Sequence, residues 1–203
     1  GYNGDTLTTQ LWSGIDFGGK PIRNLRPVKG GSGLKGPNMY FLSNRNFATT
    51  NDSIFIVEVT DTIGGNDTLL VNLRISNTPY GFPPNGDQKF SLWLNTNDAR
   101  ILAAYMEGDI IHFAGNTRDF SNSRAGIYHG TVDLANSMAV TGTVISDSVL
   151  DYGYPNLAYT GTGSGSDEFI LMMNYTGDDS FAGMKALFFD NGAYSAPTLL
   201  KQG

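Results

Sequence analysis

The chain contains no cysteine, which removes disulfides, thiolate metal sites and cysteine nucleophiles together. A small disulfide scaffold is excluded; bacterial export is not. Charge is scarce as well: 16% of the 203 residues are charged, with 13 Lys and Arg dispersed among 19 Asp and Glu. A net charge of −6 without a basic cluster excludes nucleic acid as a partner, because phosphate binding needs grouped cations. No apolar run approaches the roughly 20 residues that cross a bilayer, so a membrane-spanning chain is not expected. There is no signal peptide, and the chain opens on Gly1-Tyr2 rather than Met, as expected of a mature product or an excised portion of a longer protein.

What is present is 40% hydrophobic residue, 26 Gly, 8 Pro, 10 Tyr and 12 Phe. That is enough apolar surface for a real core, distributed as many short strands joined by turns. Apolar and polar residues alternate over short stretches, and a helical stripe is almost absent. Ser53–Thr60 runs through Gly64-Gly65-Asn66-Asp67 into Thr68–Ile75, a hairpin with β-branched strands and a turn rich in residues that accept positive φ. The acidic, Asn- and Thr-rich composition fits an extracellular, cell-surface or periplasmic bacterial protein.

A repeat underlies the strands. Residues 37–42 lead to Asp52 and a strand at 54–59, residues 99–105 to Asp109 and a strand at 110–114, and residues 155–159 to Asp167 and a strand at 169–173. The three aspartates are 57 and 58 residues apart. Third strands are expected near Thr68, Arg124 and Gly183, and closing strands near 89–94, 139–146 and 197–200. Four antiparallel strands at fixed spacing predict an all-β fold, a β-propeller of about three and a half four-stranded blades. A β-sandwich or jelly roll is the alternative. The expected divisions are 1–35 (the end of a preceding blade), 36–95, 96–148 and 149–203, with further blades supplied by the same or another chain.

Asn97–Ile101 with Glu107–Ala114, Asp151–Tyr159 and Gly192–Gly203 resemble blade starts and blade ends of secreted bacterial sialidase-like propeller proteins. The resemblance spans residues 36–203 and implies fold rather than activity. The Ser-x-Asp-x-Gly-x-x-Trp aspartate box is absent, and Ile22-Arg23-Asn24-Leu25 does not supply the family's Arg-Ile-Pro motif. No catalytic residue carries over.

Glycoside hydrolysis needs two carboxylates, about 5 Å apart for retention; the acidic candidates are Asp98, Asp109, Asp119, Asp151, Asp167 and Glu168. The recurring Asp52, Asp109 and Asp167 read as turn residues. Asp98 and Asp151 precede innermost strands, and Arg100 begins one and suits a bidentate anion contact. Tyr80, Phe82, Trp93, Tyr152 and Tyr154 offer a sugar-stacking surface. The expected ligand-binding residues are therefore Asp98, Arg100, Asp151 and Tyr154. His112 and His129 fall in neighbouring strands and lack a third ligand for zinc, which points to packing or hydrogen bonding. Asn174–Ser180 offers hard oxygens for calcium without the one-three-five spacing of a loop cage. The glycine-rich stretch 161–166 has no following helix and reads as a hairpin loop. No cofactor is expected, with calcium the open alternative. The leading expectation is a non-catalytic binding module for a glycan, a surface polymer or an envelope protein. Alternatives are a glycosidase-like hydrolase completed by missing blades and a structural subunit of an envelope assembly.

Overall fold

The computed structural model describes residues 2–3, 6–7, 9–33, 35–61, 66–161 and 167–203, and no α-helix occurs among them. The glycine-rich stretch at 162–166 and the hairpin turn at 62–65 lie outside the described residues.

Short pairs open the chain: β1 (Tyr2–Asn3) with β2 (Thr6–Leu7), and β3 (Asp16–Phe17) with β4 (Lys20–Pro21). Two more two-residue strands follow, β5 (Arg26–Pro27) and β6 (Lys29–Gly30). The first antiparallel meander is β7 (Met39–Asn44), β8 (Asn51–Thr60) and β9 (Thr68–Tyr80). A separate hairpin pairs β10 (Gly86–Gln88) with β11 (Leu92–Leu94) around a 3-10 turn at Lys89–Ser91. The second meander runs β12 (Ile101–Glu107), β13 (Ile110–Arg118), β14 (Ala125–Asp133) and β15 (Ala139–Ile145). The third runs β16 (Leu150–Tyr159), β17 (Glu168–Gly177) and β18 (Ser180–Asp190), whose free edge pairs with β19 (Ala193–Tyr194) and β20 (Thr198–Lys201).

The first two meanders belong to one nine-stranded sheet in the order β5-β7-β8-β9-β15-β14-β13-β12-β6. β9 and β15 meet in parallel at Ser76 and Val140. At the opposite ends of the path lie β5 and β6, which only Val28 separates in the chain. Residues 26–30 therefore bridge the two ends, and the sheet is nearly closed and barrel-like.

Period-two alternation sorts the side chains between successive cores. In β8, Ile54 and Ile56 face the second meander, packing with Leu42, Ile111, Phe113 and Tyr128, whereas Phe55 and Val57 face Ile15, Ile22 and Leu25 of the N-terminal segment. In β13, Ile111 and Phe113 face back to the first meander, while Ala114 faces forward to Phe169, Leu171 and Leu187 of the third. Each fully buried side chain of this kind contributes about 1.5–3 kcal/mol. The first two meanders thus face each other across the interior of their common sheet, and the second packs its outer face against the third.

Phe55, Phe113 and Leu171 all face backward, and they are spaced by 58 residues each time. Asn51 and Asp52 open β8, whereas Asp109 and Asp167 immediately precede β13 and β17. Asn51 also does a turn residue's work, its Oδ1 accepting the Ser53 N–H at 2.9 Å. The expected closing strand of the first unit differs too: β10 and β11 pair with each other and not with β9. Among the described residues of 1–35, expected as the end of a preceding blade, every strand is two residues long.

Candidate functional site

An open cleft of about 510 Å³ lies where the β7–β8 loop meets the N-terminal hairpin, lined by Lys20, Arg23, Asn44, Arg45, Asn46 and Phe47 among others. Its lining holds three cations and no carboxylate. Tyr80 fixes the loop, its hydroxyl accepting the Arg45 N–H at 2.9 Å and donating to the Ser53 carbonyl at 2.7 Å. The Arg45 guanidinium donates to the Pro21 carbonyl at 3.1 Å and lies 4.6 Å above the Phe55 ring, which holds hairpin and sheet together. The Ser43 hydroxyl donates to the Arg23 carbonyl and anchors the segment that carries the second cation.

The cleft floor is made of amides. Asn44 donates to the Ala99 carbonyl at 2.7 Å, and Asn46 donates to Asp98 Oδ2 at 2.7 Å. Asp98 is 1% exposed and gripped by Arg100 through Nε at 2.7 Å and Nη2 at 2.6 Å. Burial opposes the Asp98 charge, but the Arg100 guanidinium, the Asn46 amide and the Arg100 N–H outweigh it and hold the carboxyl below its usual range. Behind the floor Asp98 is neutralised by Arg100, and the cleft lining itself carries Lys20, Arg23 and Arg45. Beside the cleft, Phe47 and Phe82 stack with centroids 6.4 Å apart and remain 66% and 42% exposed. A cluster of cations beside an exposed aromatic pair suits an anionic ligand with an apolar face.

The expected ligand residues gather at this same end of the stack without lining the cleft. Asn116 joins two of them: its amide donates to the Thr96 and Asp98 carbonyls, and its Oδ1 accepts the Tyr154 N–H at 2.7 Å. Arg100 pairs with Asp98, and the Tyr154 hydroxyl donates to the Asn95 carbonyl. Asp151 is 3% exposed and accepts from Ala125 N, Asp87 N and Arg124 Nη1. Its lone pairs are committed to joining β14, β16 and the β10 hairpin.

Elsewhere, Asp119 closes the β13–β14 turn by accepting from the Ser121 N–H and hydroxyl. Glu168 opens β17 and pairs across to Asp190, and Asp109 occupies the β12–β13 turn. Trp93 is 66% exposed on β11, whereas Tyr152 is buried in the core between the second and third meanders. The Asn174–Ser180 stretch is strand and tight turn, with Thr176 fully buried and Asp178 Oδ2 3.7 Å from Arg124. Among the described residues no group of three His, Cys, Asp or Glu is placed to hold a metal ion.

The histidines meet in the core between the second and third meanders. His112 Nδ1 is 3.1 Å from His129 Nε2, His129 Nδ1 is 2.5 Å from the Tyr194 hydroxyl, and His112 Nε2 is 2.7 Å from Asp167 Oδ1. Hydrogen bonding within and between sheets is the role the geometry gives them.

Sequence reasoning missed Lys20, Arg23, Arg45 and Phe47 as a group. Their only signal was that six of the 13 basic residues, Lys20, Arg23 and Arg45 among them, fall within positions 20–45. Against known families, curated proteins and solved structures, the chain matches no family model, no curated protein and no solved structure.

Proposed function

We propose that the protein is a non-catalytic extracellular or cell-surface binding module that recognises an acidic glycan or surface polymer through the loops at one end of stacked β-propeller blades. The blades correspond to residues 36–95, 96–148 and 149–203, preceded by the end of another. The meanders with 58-residue face repeats support the propeller reading.

The observation that carries the function is the cleft of Lys20, Arg23 and Arg45 beside the exposed Phe47–Phe82 pair. Guanidinium and ammonium groups take a carboxylate or sulfate, and an aromatic face takes the C–H surface of a sugar ring. The Asp98 carboxylate behind the floor is tied to Arg100 and Asn46, so the cleft is built to hold rather than to transfer protons.

Calorimetric titration of a uronic-acid oligosaccharide and of its carboxyl-reduced neutral form tests this. The acidic form is expected to bind, more weakly as salt rises. Lys20→Glu with Arg23→Glu, both at exposed positions, is expected to weaken it by about tenfold or more. Equal affinity for the acidic and neutral sugars, or binding indifferent to the double substitution, would refute the assignment.

A further inference from the structure

Three phenylalanine rings stand exposed beside the cleft, each from a different connection. Phe47 comes from the β7–β8 loop, Phe82 from the segment after β9, and Phe120, which is 46% exposed, from the β13–β14 loop. The chain buries Phe55, Phe113 and Phe169 in its cores, so rings left in water on three neighbouring loops mark a contact surface. Their placement is built into the backbone. The Phe82 N–H donates to the Ala48 carbonyl at 2.8 Å, and the Phe82 ring lies beside Phe47 with the two planes 23° apart. Gly81 ties this pair to the second meander: its N–H donates to Thr117 Oγ1 at 3.0 Å, and its carbonyl accepts the Arg118 N–H at 3.1 Å. A Cβ at Gly81 would meet the Thr49 carbonyl and lie 2.9 Å from Phe120 Cζ, so a glycine there is what lets the Phe120 ring rest against the chain next to Phe82. The Asp119 turn, closed by its bonds to Ser121, fixes the loop that carries Phe120.

We propose that the cleft and this ledge form one track, whose ligand is an extended acidic polysaccharide gripped along several successive sugar units and not a single acidic sugar. The proposal rests on the acidic-glycan reading and adds to it the length of the ligand. Continuity argues for this occupant: Phe47 lines the cleft with Lys20, Arg23 and Arg45 and also stacks on Phe82, so one ring belongs to both the cationic and the aromatic part. The cations fix where an acid group sits, while ring faces take the C–H surface of further sugars whatever their substituents. A lone sugar in the cleft would leave Phe120 in water. A chain that continues past Phe47 and Phe82 reaches it.

Calorimetric titration of a uronic-acid monosaccharide, its trimer and its hexamer tests the track. Affinity is expected to rise about tenfold or more from monosaccharide to hexamer. Phe120→Ala should weaken the hexamer about fivefold and leave the monosaccharide unchanged, which also shows that the cleft persists in the variant; Phe120→Tyr should restore the hexamer. Equal affinity for the three lengths, or a hexamer indifferent to Phe120→Ala, overturns the track and leaves the acidic-glycan reading in place. Binding of none of the three overturns both. Co-sedimentation with vesicles of phosphatidylserine and phosphatidylcholine is the opposing test: binding that Phe120→Ala abolishes overturns the proposal, since a lipid surface would then be what the ledge contacts.

Discussion

The imidazole rings of His112 and His129 lie parallel within 4°, with Nδ1 of the first 3.1 Å from Nε2 of the second. One set of proton positions satisfies the whole chain. The Tyr194 hydroxyl donates to His129 Nδ1, His129 Nε2–H donates to His112 Nδ1, and the remaining His112 proton sits on Nε2 beside Asp167. Both rings are neutral in that arrangement. Burial, and then the neighbouring His112, push the His129 pKa down to about 3, and burial lowers His112 against the pull of Asp167. The unfolded chain therefore takes up more protons than the folded one between about pH 6.5 and 3, so stability is full above that window and falls with acidification through it. The expected slope for His129 is about 1.4 kcal/mol per pH unit well below pH 6.5. Urea midpoints of the wild type and His129→Gln measured from pH 7.5 to 5 should diverge by that slope. Parallel curves would show that His129 is not the group responsible.

The Tyr80 hydroxyl joins the fold to the cleft. It takes the Arg45 N–H and donates to the Ser53 carbonyl from a position only 1% exposed. Tyr80→Phe keeps the packing against Tyr128 but strands a donor and an acceptor, for an expected loss of about 1–3 kcal/mol. The loop that positions Arg45 and Asn46 also loses its tether. Affinity for the uronic-acid oligosaccharide should fall together with the denaturation midpoint; a stability loss with affinity intact would separate the two roles.

The strands of the second and third meanders were legible because their information is local. Alternation from Ile110 to Ala114 and from Phe169 to Met173, bounded by turn residues, determines both strand type and face. Asp52 lies inside β8 beside Asn51, and it is the Asn51 side chain that accepts the Ser53 N–H as a turn residue would, a distinction the sequence does not make. The β9–β15 contact joins residues 64 positions apart through one parallel pairing, and no local pattern encodes it. The cleft was illegible for the same reason: Lys20 and Arg45 meet through Pro21 and Phe55, a tertiary relation without a spacing signature. Asp98 and Arg100 were recognisable as chemistry, but not as partners that satisfy each other.

Two glycines are seats for aromatic rings. A Cβ at Gly130 would enter the Phe113 ring, and one at Gly142 would enter the Tyr128 phenol. Tyr128 in turn reaches Ser76 at 2.6 Å and the Thr78 carbonyl at 3.0 Å, tying β14 to β9 where the barrel-like sheet joins. Gly130→Ala and Gly142→Ala are each expected to cost about 1–3 kcal/mol by forcing these rings aside. Gly33→Ala, which meets open space, should be near neutral. Thermal melts of the three variants check this, and a neutral Gly142→Ala would mean that the Tyr128 ring has room to move.

Arg124 and Asp151 make the most buried ion pair among those of the described residues at the cleft end of the stack. The Nη1–Oδ2 distance is 2.8 Å, with the side chains 20% and 3% exposed. The carboxylate also accepts two backbone N–H groups, from Ala125 and Asp87. Removing the arginine leaves a buried carboxylate supported by those amides alone, and Arg124→Leu is expected to cost about 3 kcal/mol. Asp151→Asn relieves the charge but weakens the contacts to both amides. Because the two changes share one interaction, the Arg124→Leu/Asp151→Asn double variant should be destabilised by less than the sum of the singles, with a coupling of about 1–3 kcal/mol in a double-mutant cycle. Asp87 and Asp178 lie 4.0 and 3.7 Å from the same guanidinium but are 66% and 70% exposed, and their substitution by Asn should shift the midpoint only slightly. Strict additivity of the two singles would mean that the backbone amides, and not Arg124, hold the Asp151 side chain in place.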